Sequence, residues 1–174
     1  TGAKLSIIRG LRLNDNRRRW KGAGVAIPVF SLRSEGDWGC GEFTDLKKMG
    51  DWAASTGMSV IQLLPVNDTN STGTWKDSYP YNAVSSFALH SLYINPASVV
   101  EACAKVVDAA TKRKLRATLK KYAERGAELN KLEAVDYEAV MNLKTEFLNE
   151  VYAMCGAAVL ATKEYATFYK ESED

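Results

Sequence analysis

Gly24-Val25-Ala26-Ile27-Pro28-Val29-Phe30-Ser31-Leu32 and Ser59-Val60-Ile61-Gln62-Leu63-Leu64 are the two stretches that decide the fold. Both are short, apolar almost without a break, and rich in β-branched residues. Such runs fit strands covered on both faces, as those of parallel sheets are. Pro28 has no N–H to give to a ladder, so the first strand is expected to end or bulge near it. Between the runs, a turn over Arg33–Gly39 leads into a helix expected from Phe43 to Thr56. Its inward face is Phe43, Leu46, Met49, Gly50 and Ala53, and Gly57 sits where a C-terminal cap belongs. Strand, helix and strand in direct succession form a βαβ unit, which makes the strands parallel.

Outward from this unit, Pro65 stops the second run and a connection from Val66 to Pro80 follows, with turn residues throughout. Loops longer than about a dozen residues are uncommon and often functional. This one leaves the carboxyl end of a parallel strand, where such folds place ligands. Residues 97–172 contain no proline and read as consecutive helices. One stripe is Leu115, Leu119 and Tyr122. Another is Val140, Leu143, Phe147, Val151 and Met154, expected to close at Gly156, with a last helix over Ala158–Tyr169. Three parts result: a lead-in at 1–23, the βαβ part at 24–96 with its loop at 65–82, and a helical part at 97–174.

Composition narrows the function classes. With 46% hydrophobic and 25% charged residues the 174-residue chain is an ordinary globular one, neither disordered nor fibrous. A net charge of +2 supplies no general field for nucleic acid. The one basic cluster, Arg17, Arg18, Arg19 and Lys21 around Trp20, reads as a solvated segment ahead of the first strand rather than a phosphate contact. No apolar run marks a signal peptide or reaches the length of a membrane span.

The cysteines, Cys40, Cys103 and Cys155, are odd in number and widely spaced, which reads as reduced thiols in a cytosolic protein. His90 is the only histidine and cannot alone build a multi-histidine metal site. No metal or organic cofactor is expected. Asn67-Asp68-Thr69 and Asn70-Ser71-Thr72 fit the glycosylation acceptor pattern, which in a cytosolic protein is chance.

Two segments invite chemistry. Gly39-Cys40-Gly41-Glu42-Phe43 lacks both the third glycine of a dinucleotide fingerprint and a phosphate-loop lysine. Its glycines suit a tight strand-to-helix turn. Asp77-Ser78-Tyr79-Pro80-Tyr81-Asn82 combines aromatic faces, which stack on the C–H faces of sugar rings, with short polar groups that bond to sugar hydroxyls. The same spacing equally describes a proline-fixed turn whose tyrosines fill core gaps. Glu35, Asp37, Asp68 and Asp77 are the acids near the expected strand ends, each solvated by default. Glycoside chemistry needs a carboxyl pair, and nothing in the sequence singles out such a pair.

These segments together resemble glycoside hydrolase family 77, the 4-α-glucanotransferases. The resemblance rests on Gly24 through Arg33, Gly39 through Phe43, Gln62-Leu63-Leu64-Pro65, Asp77 through Tyr81, and Phe87 through Ile94. Pro65-Val66-Asn67-Asp68-Thr69 is similar to a plant-type subgroup, and Val135-Asp136-Tyr137-Glu138 extends the likeness more loosely.

The resemblance implies the first two strands of a (β/α)8 barrel followed by an inserted helical subdomain. It implies a retaining transfer of α-1,4-glucan segments from malto-oligosaccharides to a glucan or glucose acceptor. The family's nucleophile, its acid/base and the acid that holds the distorted sugar belong to later strands, so no catalytic residue is assigned here. Tyr81 corresponds to the family's tyrosine that stacks on the sugar beside the scissile bond, with Ser78 and Asp77 shaping the same subsite. Tyr79 is additional to the shorter Asp-Ser-Pro-Tyr form. Expected partners are malto-oligosaccharides or soluble glucans and the rest of the barrel, with no nucleic acid or membrane. Two other readings remain: a non-catalytic glucan-binding or interaction module, and a helical partner-binding domain built on residues 97–172.

Overall fold

The computed structural model describes residues 22–172. The cluster at 17–21 and most of the lead-in lie outside them. Two parallel strands, β1 (Gly24–Ile27) and β2 (Val60–Leu63), pair in the register Gly24↔Val60 to Ile27↔Leu63. Helix α1 (Asp45–Ser55) connects them. Four helices follow: α2 (Pro96–Cys103), α3 (Ala109–Asn130), α4 (Tyr137–Leu160) and α5 (Lys163–Glu171). This is the expected βαβ order with helices after it, and the described residues form no closed barrel.

Pro28 ends the first strand early. Ile27 is its last residue, and Val29–Ser31 turn into a short 3-10 helix with Pro28 as its N-cap residue. The strand thus ends at Pro28 as expected and is shorter than the apolar run to Leu32, because the missing N–H and the fixed φ of −78° favour leaving the ladder there. Neither strand is covered on both faces, as the apolar runs had suggested. Their residues are exposed or half-buried, since among the described residues each strand pairs with one neighbour only. Helix α1 presents the expected face, with Ala53 buried and Leu46, Met49 and Gly50 half-buried. It ends as anticipated: Gly57 takes φ +73°, and the N–H groups of Gly57 and Met58 bond to the carbonyls of Ala54 and Ala53.

The later helices start where a short polar side chain accepts a backbone N–H of their first turn. Asn95, Asp108, Asp136 and Thr162 do this for α2 to α5. Thr162 also explains a correction. Helix α4 runs through Gly156 to Leu160, and the break comes at the next cap, so the last helix begins at Lys163 rather than Ala158. At Gly156, inside the helix, a Cβ would meet the Tyr152 ring at 2.7 Å.

Two clusters make the core, and each draws on both halves of the sequence. In one, Leu115 and Tyr122 of α3 meet Leu143, Phe147 and Val151 of α4, together with Trp38 from the turn before α1. Gly126 admits the Trp38 indole, since a Cβ there would sit 2.4 Å from it. In the other, Val29, Cys40, Leu92 and Tyr93 pack on Tyr137, Val140 and Met141 of α4. Fully burying a side chain the size of Phe147 or Leu143 contributes about 1.5–3 kcal/mol. Cys103 and Cys155, far apart in sequence, bring their Sγ atoms to 3.0 Å as free thiols.

An ion pair crosses between the halves inside this core. Lys144 of α4 donates to Glu42 at 2.7 Å and to the carbonyls of Leu92 and Ile94 at 2.7 and 2.9 Å. Asn95 donates to the second Glu42 oxygen. Burial pushes the Glu42 carboxyl up against the pull of Lys144 and Asn95. Among the described residues no helix is long and apolar enough to cross a membrane.

Candidate functional site

The loop after β2 folds over the carboxyl end of the strands and is organised by its own residues. Its first arm runs beside residues 84–90: Asp68 N–H bonds to Ala88 O, His90 N–H to Val66 O, and Val84 N–H to Asp68 O. Asn67 and Leu89 form an isolated antiparallel bridge. The second arm winds around Asp77. Its carboxylate accepts the N–H groups of Ser71, Thr72 and Gly73 at 3.2, 2.8 and 2.7 Å. It also accepts the hydroxyls of Ser71 and Thr72 at 3.0 and 3.1 Å. Thr69, itself buried, donates to the Asp77 carbonyl.

Burial would raise the Asp77 pKa, but these donors outweigh it and hold the carboxyl below its usual range. Asp77 is only 1% exposed. It is thus a buried organising charge, not the solvated acid of the default reading. Asp37 departs from that default too: it is buried, it accepts Ser34 N–H at 2.6 Å, and desolvation raises its pKa.

The predicted site residues therefore sit in one loop with different surroundings. Ser78 is exposed, and its hydroxyl donates to Trp75 O at 2.8 Å within the 3-10 turn Trp75–Ser78. Tyr81 is 62% exposed, as is Tyr79, and their rings lie 5.5 Å apart at 48°. Tyrosines that filled core gaps would not be so open; these form an aromatic surface. Asp77 and Ser78 instead line an adjoining cavity of about 280 Å³, with Phe30, Pro65, Thr69 and Tyr137. Tyr81 is not among its lining residues.

Residues with no earlier assignment complete the surroundings. His90 is buried; its Nδ1 accepts Leu92 N–H at 3.2 Å, so Nε2 carries the hydrogen toward the Tyr137 hydroxyl at 3.1 Å. Desolvation lowers its pKa, leaving the ring neutral. The acids near the loop are all engaged: Asp68 accepts Asn70 N–H at 3.0 Å, and Glu138 accepts Trp75 N–H at 2.8 Å. Among the described residues no three His, Cys, Asp or Glu side chains converge on a point that could hold a metal.

The described residues thus form a two-stranded parallel unit whose following loop is braced by Asp77 and exposes two tyrosine rings. A family model described as 4-alpha-glucanotransferase, glycoside hydrolase family 77, matches residues 27–174, and the chain belongs to that family. It is similar to the 4-alpha-glucanotransferase DPE2 of Oryza sativa subsp. japonica, at 39% identity over 155 residues, covering 89% of this chain and 15% of that protein. The 4-alpha-glucanotransferase of Chlamydia trachomatis is 37% identical over 133 residues, covering 76% of this chain and 22% of the relative. That of Chlamydia muridarum is 31% identical over 158 residues, covering 86% and 27%. The chain thus spans well under a third of the length of these relatives.

Proposed function

We propose that the chain is part of a cytosolic 4-α-glucanotransferase and supplies one wall of its sugar site. The enzyme moves α-1,4-glucan segments from malto-oligosaccharide donors to glucan or glucose acceptors with retention. Residues 24–96 contribute the first two strands of a (β/α)8 barrel, and residues 97–174 are a helical subdomain inserted after the second. The exposed strand residues then await later barrel elements. Residues 1–23 lead into the first strand.

The open Tyr79–Tyr81 surface, on a loop braced from within by a buried carboxylate, is the observation that carries this reading. Tyr81 stacks on the sugar, Ser78 lines the subsite, and Asp77 holds the loop in shape. The nucleophile and the acid/base lie outside these 174 residues. In keeping with that, Asp77 has its pKa shifted in the wrong direction for a general acid. Asp68, Asp77 and Glu138 each commit one oxygen to backbone N–H groups.

Full-length protein given maltotriose should produce a ladder of longer and shorter glucans. Accumulation of only glucose and maltose would mean hydrolysis instead of transfer. The 174 residues alone should show no turnover. That outcome also fits a non-catalytic glucan-binding module, the reading favoured if the gene stops at Asp174.

A further inference from the structure

The loop bearing Tyr79 and Tyr81 is held from within by Asp77 and from outside by the first turn of α4. Trp75 N–H donates to Glu138 Oε1 at 2.8 Å, across 63 residues of sequence. Trp75 opens the 3-10 turn that delivers the chain to Tyr79 and Tyr81, so fixing its N–H fixes where that turn begins. The neighbouring Tyr137 packs its ring 6.3 Å from the Trp75 indole, and its own hydroxyl is tied to buried His90.

Glu138 is free for this task. Asp136, not Glu138, caps α4 by accepting Ala139 N–H at 3.0 Å. A carboxylate in the first turn also faces the positive end of the helix dipole, a favourable place for a negative charge. Helix α4 is itself immobilised by Lys144, less than two turns further on and locked in the core. The acceptor therefore sits on a rigid element while the donor sits on the loop.

We propose that Glu138 is a positioning residue for the aromatic sugar wall, through which the helical half of the chain sets the place of Tyr79 and Tyr81. The proposal rests on the reading of that loop as the glucan site. It predicts a binding defect with little change in chemistry, because Glu138 itself touches no sugar.

Glu138→Ala and Glu138→Gln in the full-length protein test it with maltotriose as substrate. Glu138→Ala should raise KM about tenfold, with kcat within about twofold and an unchanged melting temperature. Glu138→Gln, whose amide oxygen accepts the same N–H, should recover most of the loss. Hydrogen exchange of peptides covering 70–80 should quicken in Glu138→Ala and return toward normal in Glu138→Gln. An unaltered exchange rate in Glu138→Ala overturns the proposal whatever the activity. So does a fall in kcat and melting temperature together that glutamine does not rescue, because that pattern marks a merely structural role. Wild-type protein that neither binds nor transfers maltotriose sinks the site reading instead, and the exchange data still decide whether Glu138 places the loop.

Discussion

Glu42 and Asp77 are both buried carboxylates, yet their surroundings differ in kind. Asp77 is satisfied by donors four to six residues away in its own loop, and its pKa falls. Glu42 is satisfied by Lys144, 102 residues away, and by Asn95, and its pKa rises. Asp77 collects several short, neutral donors and stabilises a local shape. Glu42 relies on one distant cation and joins two halves of the fold. Removing the first should loosen a loop, whereas unpairing the second should threaten the whole domain.

The largest effect is therefore expected at Lys144. Lys144→Met leaves the Glu42 carboxyl buried without its cation and should cost about 3–5 kcal/mol in denaturant unfolding. Adding Glu42→Leu should recover much of that loss. A double variant as unstable as the single one would show that the pair is not the crossing it is taken to be.

Asn95 comes next, because it both donates to Glu42 and caps α2. Asn95→Ala should cost about 2 kcal/mol, the sum of a lost cap and a lost charge-assisted hydrogen bond. On the Asp77 side, Ser71→Ala removes one hydroxyl donor and should change global stability by no more than about 1 kcal/mol. Its effect should appear instead as faster proteolysis within 69–76.

The pH dependence separates the two sites by sign. Asp77 has a depressed folded pKa, so its contribution is fully present above the unfolded value of about 3.9 and is lost as pH falls through the folded value. The loop should hold its protease resistance down to about pH 4 and give way only below it. Glu42 has the opposite slope, since a raised folded pKa means that its own proton uptake favours the folded state. Loop opening that begins near pH 6 would contradict the Asp77 assignment.

What could be read from the sequence follows the same division between local and distant contacts. The βαβ order, the Gly57 cap and the stripes through Leu115 and Phe147 depend on neighbours within a turn or two, and periodicity shows them. The early end of β1 was signalled by Pro28. The break after Leu160 is marked by the cap residue Thr162 and not by Gly156, whose glycine resembles a helix stop in sequence alone. Trp38 sits in a turn by sequence and in the helical core by structure, a contact that no local pattern encodes. Lys144 did leave a trace: it stands one turn after Val140 and beside Leu143, a cation on a buried stripe that needs a partner. Its partner Glu42 lay in a glycine-rich turn that pointed elsewhere. In the site, the aromatic and polar character of 77–82 was visible, while the enclosure of Asp77 depends on how 69–73 curl back.

The proposed glucan wall depends most directly on Tyr81. Maltotriose affinity of the full-length protein should fall at least tenfold, about 1.4 kcal/mol, in Tyr81→Ala. It should stay near the wild-type value in Tyr81→Phe, which keeps the ring face. Equal affinity for all three proteins would contradict the claim that this loop is the glucan wall.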